Sequence, residues 1–174
     1  LYGCSMGGSI ALKILSNQQV EIKNIVCDGA ITPYQLPWII TRLIAIKDFL
    51  MISIGKIGGL KLLEKAFSTD EYSQEDLKYV AKVLHFISYK TIWRTFESCN
   101  NYAMPKSVSK YSGSIQYWYG DKESKARAWD IKYMKTHFPN TEFIKFENMG
   151  HGSMASLYPM KMVDQFKALI EIKK

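Results

Sequence analysis

The residues Leu1-Tyr2-Gly3-Cys4-Ser5-Met6-Gly7-Gly8-Ser9-Ile10-Ala11-Leu12-Lys13-Ile14-Leu15 decide how the rest of the chain is read. Leu1-Tyr2 reads as the end of a strand, and Ser9 to Leu15 carries a helical pattern. Gly3-x-Ser5-x-Gly7 forms the join between them. A serine on so sharp a strand-to-helix turn is held strained with its hydroxyl exposed, and its neighbours must be small to avoid a clash. The helix that follows aims its N-terminus at the same spot, which favours negative charge there. The N–H of Met6 is the expected donor to an oxyanion at that place.

Outward from this join, Asn24 to Cys27 is a short apolar, β-branched run closed by Asp28-Gly29, the pattern of a buried strand. Residues 33–113 contain no convincing strand. Pro33 and Pro37 open this stretch, and apolar residues fill 38–54 almost all round, as in a buried or pocket-facing helix. Gly55 and Gly58-Gly59 are expected to break it. Ser73 with Asp76 resembles a capping box, followed by one apolar face at Leu77, Val80, Ala81, Leu84 and Ile87. A new helical start is expected at Ser88, with Ile92, Trp93 and Phe96 behind it. Strand signals return at Ile115 to Tyr119, ending in Gly120-Asp121. A helix is expected from about Ser124 to Phe138, stopped by Pro139. Glu142 to Phe146 is the next strand, and Pro159 suits the first turn of a last helix. Strands that alternate with helices argue for an α/β fold with a parallel sheet.

Composition narrows the function classes. In 174 residues, 47% are hydrophobic and 22% charged, the proportions of a globular domain rather than of a disordered tail or coiled coil. The formal charge of +7 is spread along the chain with no basic run longer than a pair, so a solvated lysine surface is favoured over nucleic-acid binding. The segment from Trp38 to Leu63 is interrupted by Arg42, Lys47, Asp48, Lys56 and Lys61, which argues against a membrane span. Cys4, Cys27 and Cys99 have unrelated spacings, with no CxxC and no His/Cys cluster, so no zinc site is expected. Reduced thiols of this kind fit a cytoplasmic protein. No motif asks for an organic cofactor.

Three histidines are present. His85 lies within a helical pattern and His137 at a helix end before Pro139. His151 lies in Gly150-His151-Gly152, just past a strand, where the functional residues of parallel sheets collect. Asp121 also follows a strand, one strand–helix–strand unit before His151, so both should emerge at the same sheet edge. A carboxylate there can hold the imidazole tautomer. Asp28 and Glu123 are its rivals for that role.

The order serine, aspartate, histidine on this alternation resembles the α/β-hydrolase superfamily, in its branch of small esterases, thioesterases and proline-iminopeptidase-like enzymes. The motifs that carry the resemblance are Gly-Cys-Ser-Met-Gly-Gly, Tyr-Gly-Asp and Gly-His-Gly, and it runs from Leu1 to Lys174. It implies a serine hydrolase with Ser5 as nucleophile, His151 as base and Asp121 as its orienter. It also implies that 1–32 and 114–174 form the hydrolase core and that 33–113 is a helical cap. The strands that precede the elbow in that family have no counterpart here, and neither does the loop that donates a second oxyanion N–H. An upstream segment or a second copy is expected over the exposed sheet edge. The cap's Trp38, Leu43 and Phe49 are candidates for contact with a lipophilic small-molecule ester. Cys4 is read as packing. A non-catalytic module that binds a ligand or partner on the same fold is the competing reading.

Overall fold

The computed structural model describes residues 1–17, 20–33, 36–66, 72–100, 102, 104 and 111–171. Two compact units emerge: Leu1–Pro33 with Ala103–Lys174, and Tyr34–Tyr102.

The first unit is built on four parallel strands in the order β1 (Tyr2–Cys4), β2 (Asn24–Asp28), β3 (Ser114–Gly120), β4 (Glu142–Phe146). Gly3 pairs with Cys27, Cys27 with Tyr117 and Tyr117 with Phe143, so the register runs level across the sheet. Helices α1 (Met6–Asn17), α5 (Ala128–His137), α6 (Ser153–Ser156) and α7 (Pro159–Glu171) flank it. Side chains alternate along each strand, and this alternation divides the core into two. Ile25, Cys27, Ile115 and Tyr117 pack with Leu12 and Leu15 of α1 and Met134 of α5. Val26 and Trp118 pack with Met154 of α6 and Leu169 of α7. The buried Gln116 amide is satisfied on both sides: it donates to Glu142 Oε2 at 2.7 Å and accepts from Trp118 Nε1 at 2.9 Å.

Two glycines allow close approach here. A Cβ on Gly8 would lie 2.2 Å from the Ala30 Cβ, and one on Gly3 would lie 2.1 Å from the Gly7 carbonyl oxygen. Helix α1 therefore sits hard against the strand that feeds it. Among the described residues β1 pairs only with β2, and an apolar groove of about 560 Å³ runs beside it, lined by Leu1, Tyr2, Ile14, Val26, Phe166 and Leu169 among others.

The second unit contains α2 (Trp38–Ala66), α3 (Gln74–Phe86) and α4 (Tyr89–Asn100). The expected capping box opens α3, with Ser73 Oγ accepting from Asp76 N at 3.2 Å and Ser73 N donating to Asp76 Oδ2 at 3.0 Å. Ser88 caps α4 by accepting from Thr91 N at 3.1 Å. The expected break is found at Gly59, which leaves helical geometry at φ 56° and ψ −148°, while Gly55 and Gly58, also expected to break the helix, do not. Gly lowers helix propensity by about 1 kcal/mol, which tertiary contacts offset, whereas a positive φ interrupts the helix outright. The expectation of a buried helix is corrected. Thr41, Ala45, Ser53 and Leu63 are buried, while Ile39, Leu43, Ile46, Leu50, Ile54 and Ile57 form an exposed stripe on another face. No helix among the described residues is long and apolar enough to cross a membrane.

Candidate active site

The site begins at the end of β1. Ser5 has a φ of 53°, in the left-handed region that only glycine adopts freely. Such strain costs on the order of 1–3 kcal/mol and persists only where the surroundings fix it. They do so here: Ser5 N donates to Asp28 O at 2.8 Å, and Ser5 O accepts from Gly8 N at 3.0 Å. Met6 opens α1, so its N–H has no partner carbonyl one turn back within the helix. The helix starts at Met6 rather than at the expected Ser9, which sets its N-terminus directly behind the serine.

The histidine comes from the opposite end of the unit. β4 ends at Phe146, Asn148 adopts a positive φ of 60°, and the loop delivers His151 immediately before α6. His151 Nδ1 lies 2.6 Å from Glu123 Oε2. The histidine side chain is 45% exposed and that of Glu123 7%. With Nδ1 committed to the carboxylate, Nε2 is the nitrogen left to act as a base. Gly29, at φ 54°, forms the floor of this pair: a Cβ there would meet His151 Nδ1 at 2.8 Å and Glu123 Oε1 at 3.2 Å. Gly29 follows Asp28, whose carbonyl holds Ser5, and a Cβ on Gly152 would lie 3.4 Å from Cys4 Sγ. Thus the histidine loop lies beside Cys4, which precedes the serine, and Gly29, which follows the residue that holds it.

The expected pairing of Asp121 with His151 is corrected by this geometry. Residues Asp121–Glu123 form a single 3-10 turn after β3. Such a turn brings the residue three past Gly120 back over the strand end, and Glu123 Oε1 accepts from Gly120 N at 3.2 Å. Asp121 turns away. The backbone N–H of Asn148, with those of Lys122 and Met149, holds its carboxyl below the usual carboxylate range. In the same seam Lys122 N donates to Met149 O at 3.2 Å, which ties the β3 turn to the loop that carries His151. The sequence signal for Glu123 was the spacing Gly120-x-x-Glu123, which matches a side chain reaching back to its own N-cap. The helix expected from Ser124 begins only at Ala128 because turns occupy the intervening residues.

Asp28, the other rival, is buried but faces Tyr2, whose hydroxyl donates to Oδ2 at 2.8 Å. Burial pushes its carboxyl above the ordinary range, the Tyr2 bond pulls it partly back, and the Glu123 charge pushes it up again. A folded-state pKa above the unfolded one means that the folded chain holds the proton more tightly. That stabilisation is present at low pH and is lost as pH rises through the raised value. Asp28→Asn mimics the protonated acid. It is expected to match the native chain near pH 3 and to exceed it near pH 7 by about 1 kcal/mol, or roughly 2–4 °C in unfolding midpoint. Melting curves at the two pH values check this, and an equal midpoint at both would refute it.

Burial, followed by the Asp28 charge, pushes the Cys4 thiol up to about 12, so it is not a thiolate at neutral pH. His85 is exposed on α3, while His137 stacks on Tyr133 with ring centroids 4.1 Å apart. Neither joins the site. In the helical unit Trp38 and Leu43 are exposed, and Trp38 lies 5.2 Å from the Arg42 guanidinium. Phe49 is half-buried, edge-on to Trp93 at 5.8 Å and Tyr89 at 6.4 Å. The groove beside β1 includes none of Ser5, Glu123 and His151. Among the described residues no group of three or more His, Cys, Asp or Glu side chains could hold a metal ion.

No protein-family model and no curated protein sequence matches the chain. Solved structures do match its fold. An esterase, EaEST, from Exiguobacterium antarcticum aligns at TM-score 0.71 and 18% identity over 98% of this chain and 66% of that one. A structure from the thaumarchaeon Nitrososphaera gargenis, described under its carboxylesterases, aligns at 0.70 and 17% over 98% and 64%. MenH from S. aureus aligns at 0.68 and 15% over 100% and 68%. The chain therefore spans about two thirds of the length of these structures. It has the α/β-hydrolase fold, with the parallel sheet and flanking helices of that architecture.

Proposed function

We propose that this chain carries the nucleophile, base and acid of a serine hydrolase that cleaves a small, apolar carboxylic ester through an acyl-enzyme. The observation that carries the reading is the pairing of His151 Nδ1 with Glu123 Oε2 at 2.6 Å, on a loop that lies beside Cys4, next to a serine held at positive φ ahead of a helix. The esterase and hydrolase names among the similar structures support it.

In this scheme His151 Nε2 takes the Ser5 proton as Oγ attacks the ester carbonyl. The tetrahedral oxyanion is stabilised by the Met6 N–H and the N-terminus of α1. Glu123 keeps the remaining imidazole proton on Nδ1 and stabilises the imidazolium. His151 then protonates the departing alcohol, and water, activated by the same nitrogen, hydrolyses the acyl-Ser5. Asp121 acts here as a loop tie rather than as the triad acid. The chemistry needs no cofactor.

The test is intact-mass labelling with a fluorophosphonate, with Ser5→Ala as control. One adduct on the native chain and none on the variant is expected. An adduct that persists in Ser5→Ala, or none on the native chain, overturns the reading, and the latter result favours a binding module on the same fold.

A further inference from the structure

The charges behind Glu123 form a line that the proton-transfer scheme does not use. Arg127 lies in the turn between Glu123 and α5, with its side chain only 18% exposed. Its Nε is 3.6 Å from Glu123 Oε2, and its Nη1 is 3.2 Å from Asp130 Oδ2. Nη1 also donates to the Gly29 carbonyl at 3.3 Å. Asp130 is itself anchored, since its Oδ1 accepts from Thr32 N at 2.7 Å and from Thr32 Oγ1 at 2.8 Å.

One guanidinium thus hydrogen-bonds the glycine beneath the ring and sets its charge 3.6 Å from the carboxylate that meets Nδ1, with no hydrogen bond from Nε. A glutamate has one more rotatable bond than an aspartate, and its terminal torsion is broad. Gly120 N holds Oε1, His151 Nδ1 meets Oε2, and the Arg127 charge stands behind Oε2. Arginine suits this place because its planar fork presents several donors in fixed directions, whereas lysine offers a mobile point charge.

We infer that Arg127 is a positioning residue, which holds the Glu123 carboxylate and the Gly29 floor in the arrangement that orients His151. The inference rests on the hydrolase reading for its effect on rate, but its effect on geometry can be measured without any substrate. The readouts are the low-field proton resonance of a carboxylate-bound imidazole, the fluorophosphonate labelling rate and the unfolding midpoint, in Arg127→Gln, Arg127→Lys and Glu123→Gln.

The native chain should show the resonance and Glu123→Gln should lose it. Arg127→Gln should broaden or lose it in a chain that still folds with a lowered midpoint, with labelling slowed by roughly 10- to 100-fold, and Arg127→Lys should recover only part. A native resonance with native labelling in Arg127→Gln overturns the inference, as does a native chain without the resonance. If Arg127→Gln fails to fold, Asp130→Asn, which frees the guanidinium from behind, is judged by the same two outcomes. A native chain that shows the resonance but takes no label refutes the hydrolase reading alone, and the resonance in the Arg127 variants still decides the positioning role.

Discussion

Glu123→Gln is expected to lower turnover of a short acyl ester by about 10⁴-fold while leaving the fold intact. The variant is nearly isosteric, and its side chain is already buried. What changes is the group facing Nδ1 at 2.6 Å. An amide NH₂ there turns Nδ1 into an acceptor and moves the proton to Nε2, the nitrogen that receives the Ser5 proton in the proposed mechanism. Asp121→Asn is the discriminating partner. Its carboxyl is held below the usual range by backbone N–H groups of the histidine loop, which an asparagine oxygen can still face. A loss of no more than about tenfold is expected from that variant, since loop placement rather than tautomer is affected. Turnover by the two variants, normalised to folded protein, decides between them. Equal losses, or a larger one in Asp121→Asn, would return the acid's role to Asp121.

Trp118→Ala is expected to give the largest loss of stability, about 3–5 kcal/mol. Trp118 is 0% exposed and lies at the centre of the α7-side core. Its ring stacks on Phe166 at 5.4 Å and meets Phe146 edge-on at 5.5 Å, with Tyr2 at 6.2 Å. Truncation leaves a cavity among three aromatic rings and removes the donor to Gln116. Against a typical total of about 5–15 kcal/mol, such a loss is severe. It corresponds to a fall of roughly 6–20 °C in unfolding midpoint for a chain of this size. Thermal unfolding by circular dichroism measures it, and a shift under about 3 °C would mean that the core collapses around the gap. The same substitution loosens the end of β3, from which Glu123 is presented, so activity should fall before global unfolding does.

The strand–helix alternation, the serine turn and the histidine loop are legible in the sequence because each is a local event. Gly3, Gly7 and Gly8 mark where backbone segments must touch, and Gly150-His151-Gly152 marks a turn past a strand. The period-two alternation of Ile25, Val26 and Cys27, and of Ile115 to Trp118, divides itself between two helical layers without further information. Within the helical unit the capping residues Ser73 and Ser88 are equally local. The strength of a break is not: Gly55, Gly58 and Gly59 look alike in sequence, and only the last takes a positive φ.

Which carboxylate meets the histidine belongs to the tertiary structure. Asp121 and Glu123 stand two residues apart past the same strand, and either side chain is long enough to reach an imidazole on the next loop. The choice depends on a 3-10 turn that points Glu123 inward, where Oε1 accepts from Gly120 N and Oε2 meets His151 Nδ1. His151 comes from beyond the next helix and strand. The sequence determined that a serine turn, a histidine loop and candidate carboxylates each follow the end of a parallel strand. Packing between distant loops decided which carboxylate meets the histidine, because a hydrogen-bond donor acts only where the folded chain delivers it.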